Sequence, residues 1–339
     1  MERFYREAVA NPSLIWEVSE ELHEVRDTPF GSKGDAKSLT KRSDHLVGVQ
    51  FAFGVDEREY EPPHKRKQQS KSTMNRKTFG MKLAYVGSDF RGWAWQPDGS
   101  TVEKAISDAL KPLLGQKRPA VYSAGRTDRG VSALGQCCSF HTTSSVTPEE
   151  VARAINAFAP ESLSVWDCQL MPTSFHATFS AAWRRYLYIL PLQDTPEDRC
   201  IDAERINHLL GPLVGETLNY TAFARDTPRA KDTFCLLHHA RAFEGHLPST
   251  GDRVLCIEVI GNRFLRRMVR IIVSTCVRDC INHMQGKGCC QSIRTLRDYC
   301  SDAVLGDEEA RKRTAPAAPA VGLCFLGVGY AEPSYPTKT

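Results

Sequence analysis

The chain has 339 residues, of which 41% are hydrophobic and 25% charged, and its net charge is only +4. That length suits two domains, or one large one plus a tail, and that composition belongs to a globular chain rather than a disordered one. No apolar run approaches the roughly 20 residues of a membrane-spanning helix, and residues 1–7 mix acids with bases, unlike a secretory leader.

Residues 1–77 show weak periodicity, with a helix expected near 13–25. Gly31-Ser32-Lys33-Gly34 and Pro62-Pro63 interrupt the pattern. Six basic residues (Lys65, Arg66, Lys67, Lys71, Arg76, Lys77) fall between 65 and 77 with no acid among them. Such a run reads as a solvated linker, a nuclear import signal or a phosphate-binding arm. The expectation for 1–77 is a partly disordered extension carrying a basic arm. Ordered patterning begins with a strand over 79–86, where Met81, Leu83 and Tyr85 alternate against Lys82. Ser100-Thr101-Val102-Glu103 has the spacing of a capping box, and Val102, Ile106, Leu110 and Leu113 then share one helical face. A short strand over 120–124 leads into a glycine-bearing loop, and 137–141 leaves it as a strand. Thr147-Pro148-Glu149-Glu150 starts a second helix with proline at its first position, and 163–170 returns as a strand.

The second half repeats this rhythm: a strand over 183–192, a helix over 203–214, two adjacent antiparallel strands over 235–244 and 253–260, a long helix over 263–284, and a last strand over 321–330. Two strand–helix–strand units in similar order suggest a pseudo-repeat. Residues 286–320 read as an insert or exposed loop. The twelve cysteines contain no Cys-x-x-Cys pair. Cys137-Cys138 and Cys289-Cys290 are adjacent and Cys276 and Cys280 lie four apart, so no zinc-ligand spacing emerges. Reduced, mostly buried thiols of an intracellular protein are expected.

The richest stretch is Ser123-Ala124-Gly125-Arg126-Thr127-Asp128-Arg129-Gly130-Val131-Ser132-Ala133-Leu134-Gly135-Gln136. It holds one carboxylate, Asp128, between two arginines in a loop with two glycines, which permit backbone conformations other residues avoid. An immobilised carboxylate is a candidate nucleophile, although an isolated Arg-x-Asp is ordinarily a surface ion pair.

The whole string resembles the signature of the TruA family of tRNA pseudouridine synthases, Gly-Arg-Thr-Asp-x-Gly-Val followed by small residues and Gly-Gln. Four further strings resemble that family in the same order. Tyr85-Val86-Gly87-Ser88-Asp89-Phe90-Arg91-Gly92-Trp93 resembles its opening motif, with Val86 where Asp is usual; Phe90 and Trp93 are expected to pack under the Asp128 loop. Phe179-Ser180-Ala181-Ala182-Trp183-Arg184-Arg185-Tyr186-Leu187-Tyr188 resembles the motif whose tyrosine stacks on the target base. The matching position is Tyr186, with Arg184 on the same strand face and Tyr188 read as core. Gly261-Asn262-Arg263-Phe264-Leu265-Arg266-Arg267-Met268-Val269-Arg270 resembles the motif whose last arginine partners the catalytic Asp. Read as a helix, it also places Arg263, Arg266, Arg267 and Arg270 on one basic stripe. Gly322-Leu323-Cys324-Phe325-Leu326-Gly327-Val328-Gly329-Tyr330 resembles the closing strand, in which Leu323 lines the uracil pocket.

The resemblance spans about residues 79–330. It implies an α+β fold of two ferredoxin-like (split βαβ) domains with mostly antiparallel sheets flanking a basic catalytic cleft. The expected organisation is an extension over 1–77, a catalytic-loop domain over 78–178, a second domain over 179–332 with the base-stacking and arginine motifs, and a tail over 333–339. The implied activity is isomerisation of uridine to pseudouridine in tRNA, with Asp128 catalytic and Arg126, Tyr186, Arg270 and Leu323 binding the substrate. Arg184, Arg263, Arg266 and Arg267 are expected at the RNA backbone. No metal or cofactor is implied; tRNA is the expected partner, a homodimer is an assembly the family adopts, and no membrane is involved. Nucleus, cytoplasm and organelle all remain open. Two rivals stand beside this reading: a catalytically silent RNA-binding or chaperone protein on the same scaffold, and a carboxylate-dependent hydrolase, which ordinarily needs a second acid close to the first.

Overall fold

The computed structural model describes residues 1–20, 22, 76–97, 99–226, 232–286, 295–301 and 307–330. Among them, β1 (Lys77–Tyr85), β2 (Val121–Ser123), β3 (Ser132–Thr142), β4 (Leu163–Met171), β5 (Trp183–Pro191), β6 (Thr217–Asn219), β7 (Phe234–His246), β8 (Arg253–Gly261) and β9 (Leu323–Gly329) form one mixed sheet. The helices are α1 (Glu2–Ala10), α2 (Val102–Leu114), α3 (Pro148–Phe158), α4 (Ala203–Leu210), α5 (Met268–Met284), α6 (Leu296–Ser301) and α7 (Asp307–Arg313). The fold is thus mixed α+β with a large, mostly antiparallel sheet.

The strands run β4-β1-β3-β9-β5-β8-β7-β6, with β2 also on β3. Every pairing between named strands is antiparallel except β3 with β9, which is parallel and covers only Ser132–Cys324 and Ala133–Phe325. That short seam joins two groups of the same strand order, β4-β1-β3-β2 and β9-β5-β8-β7.

Local chemistry explains most element starts. Thr147 caps α3 in a full capping box with Glu150, with Pro148 at the first helical position. The cap of α2 is Thr101, whose hydroxyl accepts from Lys104 N, one residue later than the Ser100 spacing suggests. Glu103 instead accepts from Trp95 N at 3.0 Å. The long helix is shorter than its periodicity: it begins at Met268, and Arg267 adopts a left-handed φ of 62°. Residues 263–267 are therefore not helical. Arg266 O accepts from Arg225 N, and Leu265 turns into the core, so this segment's backbone is bonded sideways rather than along a helix.

One face of the sheet packs against α2–α5, where Ile106, Leu110, Val151, Ile155, Ile206, Leu209, Ile271 and Ile272 are buried. The other face carries Ala84, Val86, Leu134, Leu187, Ile189, Phe243, Cys256, Cys324 and Leu326, and it is covered by the start of the chain. Phe4, Tyr5, Ala8 and Val9 of α1, then Ile15, Trp16 and Val18 of a 3-10 segment (Pro12–Val18), seal it. The region expected as a helix at 13–25 opens as this 3-10 segment, a further helix, α1, precedes it at 2–10, and residues of both contribute to the core. Lys65, Arg66, Lys67 and Lys71 of the basic arm and the tail over 333–339 lie outside the described residues, while Lys77 opens β1. The 286–320 stretch is likewise more than a loop. Leu296, Ala310 and Ala318 are buried, and Tyr299 donates to Asp279 at 2.8 Å.

Beneath the N-terminal cover, Glu258 is fully buried between Arg185, with which it is paired, and Arg241 at 2.9 Å. Burial alone would raise its carboxyl, but Arg185, Arg241 and His239 hold it below the usual glutamate range. The stabilisation is present above the unfolded value of about 4.3 and is lost as pH falls through the folded one. Glu258→Gln leaves buried guanidiniums uncompensated and is expected to cost about 3–5 kcal/mol at neutral pH. Melting curves across pH check this: the variant's deficit should shrink as the medium is acidified, and a constant deficit refutes the assignment. No disulfide joins the ten described cysteines, and eight of them are buried.

Candidate active site

The site forms at the seam. Residues 124–131 leave β2, cross the sheet end and enter β3 where it meets β9. Two glycines let the loop take this path. A Cβ on Gly125 would come within 2.8 Å of the Phe325 ring and 3.3 Å of the Tyr186 hydroxyl, and Gly130 has φ +81°.

The loop is held from below by groups outside it. Gln136, fully buried on β3, donates from Nε2 to Gly125 O at 2.8 Å and accepts at Oε1 from Gly125 N at 3.4 Å. Its side-chain amide thus pairs with one residue's backbone much as a neighbouring strand would. The Tyr85 hydroxyl shares a 2.8 Å hydrogen bond with Thr127 Oγ1, and Trp93 N donates to Thr127 O at 3.1 Å. Phe90 and Trp93 lie buried beside the Tyr85 ring, beneath the loop as expected. Thr127 therefore faces the core, and its neighbours Arg126 and Asp128 face outward. Gln136→Leu would leave both polar groups of Gly125 unpaired, at a cost of about 1–3 kcal/mol. A lower melting temperature with a loop more open to amide exchange is expected, and unchanged exchange at 124–130 refutes the clamp.

Asp128 meets Arg270, from the first turn of α5, at 3.0 Å between Oδ2 and Nη1. The same guanidinium donates from Nε to Ala318 O at 2.7 Å. Arg270 thereby ties the loop of the first strand group to the segment entering β9. Tyr188, read from sequence as core, is buried, but its hydroxyl also donates to Pro319 O at 3.1 Å. Both residues position the chain that delivers Leu323, which is buried on β9. Burial raises the Tyr188 phenol to about 12.

Tyr186 is buried on β5 on the same sheet face, edge-on between Phe264 (ring centroids 5.1 Å apart) and Phe325 (5.0 Å). Burial pushes its phenol far up, so it is neutral at any physiological pH. Phe264, absent from the expected set, is the residue that fixes this ring on one side. Arg126 is exposed and has no partner among the described residues.

The four remaining arginines sit differently from expectation. Arg184 is directed inward: it donates to Ala124 O (3.1 Å), Ala181 O (2.9 Å), Asn262 O (2.6 Å) and Thr178 O (2.7 Å). Those bonds occupy its guanidinium with backbone, and burial lowers its pKa from the usual arginine value. It fastens the entrance of the Asp128 loop and is not placed for phosphate. Arg263, Arg266 and Arg267 do not form a helical stripe with Arg270, because residues 263–267 are outside the helix. Arg263 pairs with Asp232 at 3.0 Å, while Arg266 and Arg267 flank Asp226 at 3.4 and 3.6 Å. These pairs are exposed and individually weak. Among the described residues no group of His, Cys, Asp and Glu is arranged to hold a metal ion. No helix among them is long and apolar enough to cross a membrane.

Comparison with known proteins adds to this geometry. Residues 213–331 match the family model described as tRNA pseudouridine synthase. The chain is 30% identical over 275 residues to a protein named tRNA pseudouridine synthase A from Rippkaea orientalis, covering 78% of this chain and 87% of that one. It is 32% identical to one so named from Chloroflexus aurantiacus (75% and 89% covered) and 33% identical to one from Latilactobacillus sakei (73% and 96% covered).

Proposed function

The chain belongs to the TruA family of tRNA pseudouridine synthases, and from that premise we propose that it isomerises specific uridines of tRNA to pseudouridine, with Asp128 as nucleophile. The observation that carries this reading is the Asp128–Arg270 pair at the seam, with Tyr186 and Leu323 on the strands beside it.

In the reaction the C1′–N1 bond breaks, the uracil turns, and C5 bonds to C1′. N1 gains a proton and C5 loses one, so nothing is oxidised and no group is gained from outside. A carboxylate assists by bonding to C1′ or to the ring, and both routes start from Asp128. Arg270 aims the carboxylate and compensates its charge, a preorganised electrostatic contribution. A target base within folded RNA must first leave its stack, at a cost of a few kcal/mol. Arg126, exposed and uncommitted, is suited to hold the everted nucleotide or fill its place. Tyr186 supplies an aromatic contact to the base, and Leu323 an apolar wall. The identical strand order of the two groups supports two ferredoxin-like halves, 78–178 and 179–332, with the site between them.

The test is tRNA transcribed without modification and carrying tritium at uridine C5. Turnover releases that tritium to water in step with pseudouridine formation. Release of free uracil points to a hydrolase, and tight binding without tritium release points to a silent RNA-binding protein. Either result refutes the reading.

A further inference from the structure

Beside the Asp128 loop lies an aromatic surface that the mechanism above does not use. Phe179 is 67% exposed and Tyr122 38% exposed, among the largest exposed hydrophobics described. His176 stands between them, its ring centroid 4.5 Å from each, with interplanar angles of 40° to Tyr122 and 35° to Phe179. His141 extends the row at 6.2 Å from Tyr122. Tyr122 points outward because its neighbours on β2, Val121 and Ser123, point inward.

This row is stiff. The backbone N–H groups of Thr178 (3.2 Å) and Phe179 (3.4 Å) donate to His176 Nδ1, which makes that nitrogen an acceptor and fixes the ring's orientation. Ser180 N donates to His176 O, and His176 N to Ser180 Oγ, closing the turn. Thr178 Oγ1 donates to Ser123 O at 2.5 Å, and Arg184 bonds both Thr178 O and Ala124 O. The row and the entrance to the catalytic loop are therefore one body. Tyr122 precedes Asp128 by six residues, a chain length of at most about 21 Å. Neither 119–127 nor 172–181 contains an acid, and Lys117 and Arg118 precede the first segment.

Exposed aromatic faces on segments that carry no acid suit a nucleobase, since every base has a π-face and stacking tolerates sequence. An apolar protein partner would not need successive rings 4.5 Å apart. We propose that Tyr122, His176 and Phe179 form a stacking platform for an unpaired base of the RNA substrate, a few nucleotides from the target uridine. The proposal rests on the tRNA-modifying function above.

Stacking is worth roughly tenfold in affinity for each ring removed. Phe179→Ala and Tyr122→Ala should each raise KM in the tritium-release assay about tenfold with kcat within about twofold. Phe179→Trp should keep the wild-type KM and Phe179→Leu should not, because leucine restores apolar bulk without a ring. Abasic substitutions scanned along the substrate should include one position that raises the wild-type KM by a similar factor and abolishes the further effect of Phe179→Ala. Wild-type KM in both alanine variants, full rescue by leucine, or no such position in the scan overturns the platform. Those results leave the enzymatic reading standing, because it depends on turnover by the wild-type protein; absence of wild-type turnover overturns both.

Discussion

Asp128→Asn is expected to reduce tritium release from uridine C5 to background while the protein still binds tRNA. The exchange is nearly isosteric, and an asparagine oxygen still accepts from Arg270, so the loop held by Gln136, Tyr85 and Trp93 keeps its shape. On the proposed mechanism the anionic nucleophile disappears, and activating groups do not replace a missing nucleophile. Affinity comes mainly from cationic side chains at phosphates and falls with rising salt. Removing a negative charge beside Arg270 leaves that term intact or strengthens it. Filter binding at two salt concentrations, beside the tritium assay, checks both halves. Near-normal turnover in the variant refutes the nucleophile, and loss of binding in step with turnover shows that Asp128 serves structure.

Removing residues 1–22 is expected to abolish the soluble fold. Read from sequence alone, the extension is partly disordered, but its first residues are core. Phe4, Tyr5, Val9, Ile15, Trp16, Val18 and Leu22 are all buried against the back of the sheet. At about 1.5–3 kcal/mol for each large apolar side chain, their burial is on the order of 10 kcal/mol. That matches the whole stability of an ordinary domain. The segment also bonds to both strand groups. Arg6 holds Asp89 with two hydrogen bonds of 2.7 and 2.9 Å, and the Tyr5 hydroxyl donates to Gly322 O at 3.3 Å. Without it the sheet presents Leu134, Leu187, Ile189 and Phe243 to water, an apolar patch that invites aggregation. Sedimentation and thermal melts of the truncated chain decide the point. A soluble, cooperatively melting product refutes the expected loss.

The pattern of what could be read from the residues follows from range. The Asp128 loop, the Thr147 capping box and the alternation in β1 are local, so short windows carried them. Arg270 is legible only through a motif resemblance, because nothing within ten residues of it announces a partner 142 positions away. The arginine stripe misled because the i, i+3, i+4, i+7 pattern presumes a helix already under way at Arg263. The left-handed turn at Arg267 and the tertiary bond from Arg225 to Arg266 O override that presumption. Arg184 has the composition of a phosphate contact, and only the arrangement of four carbonyls around it reveals a fastening. In α1 the signal was present, since Phe4, Tyr5, Ala8 and Val9 share a face, but nine residues give it little weight beside the long polar run that follows.

The seam has one more implication. Asp128 lies ahead of β3, whereas Arg270, Tyr186 and Leu323 belong to the later half of the chain, and the two strand groups join edge to edge only when β9 is laid down. During synthesis the carboxylate must wait for nearly the entire polypeptide before its guanidinium and pocket wall arrive. On the proposed mechanism turnover therefore reports completion of folding, and neither half made separately should turn over.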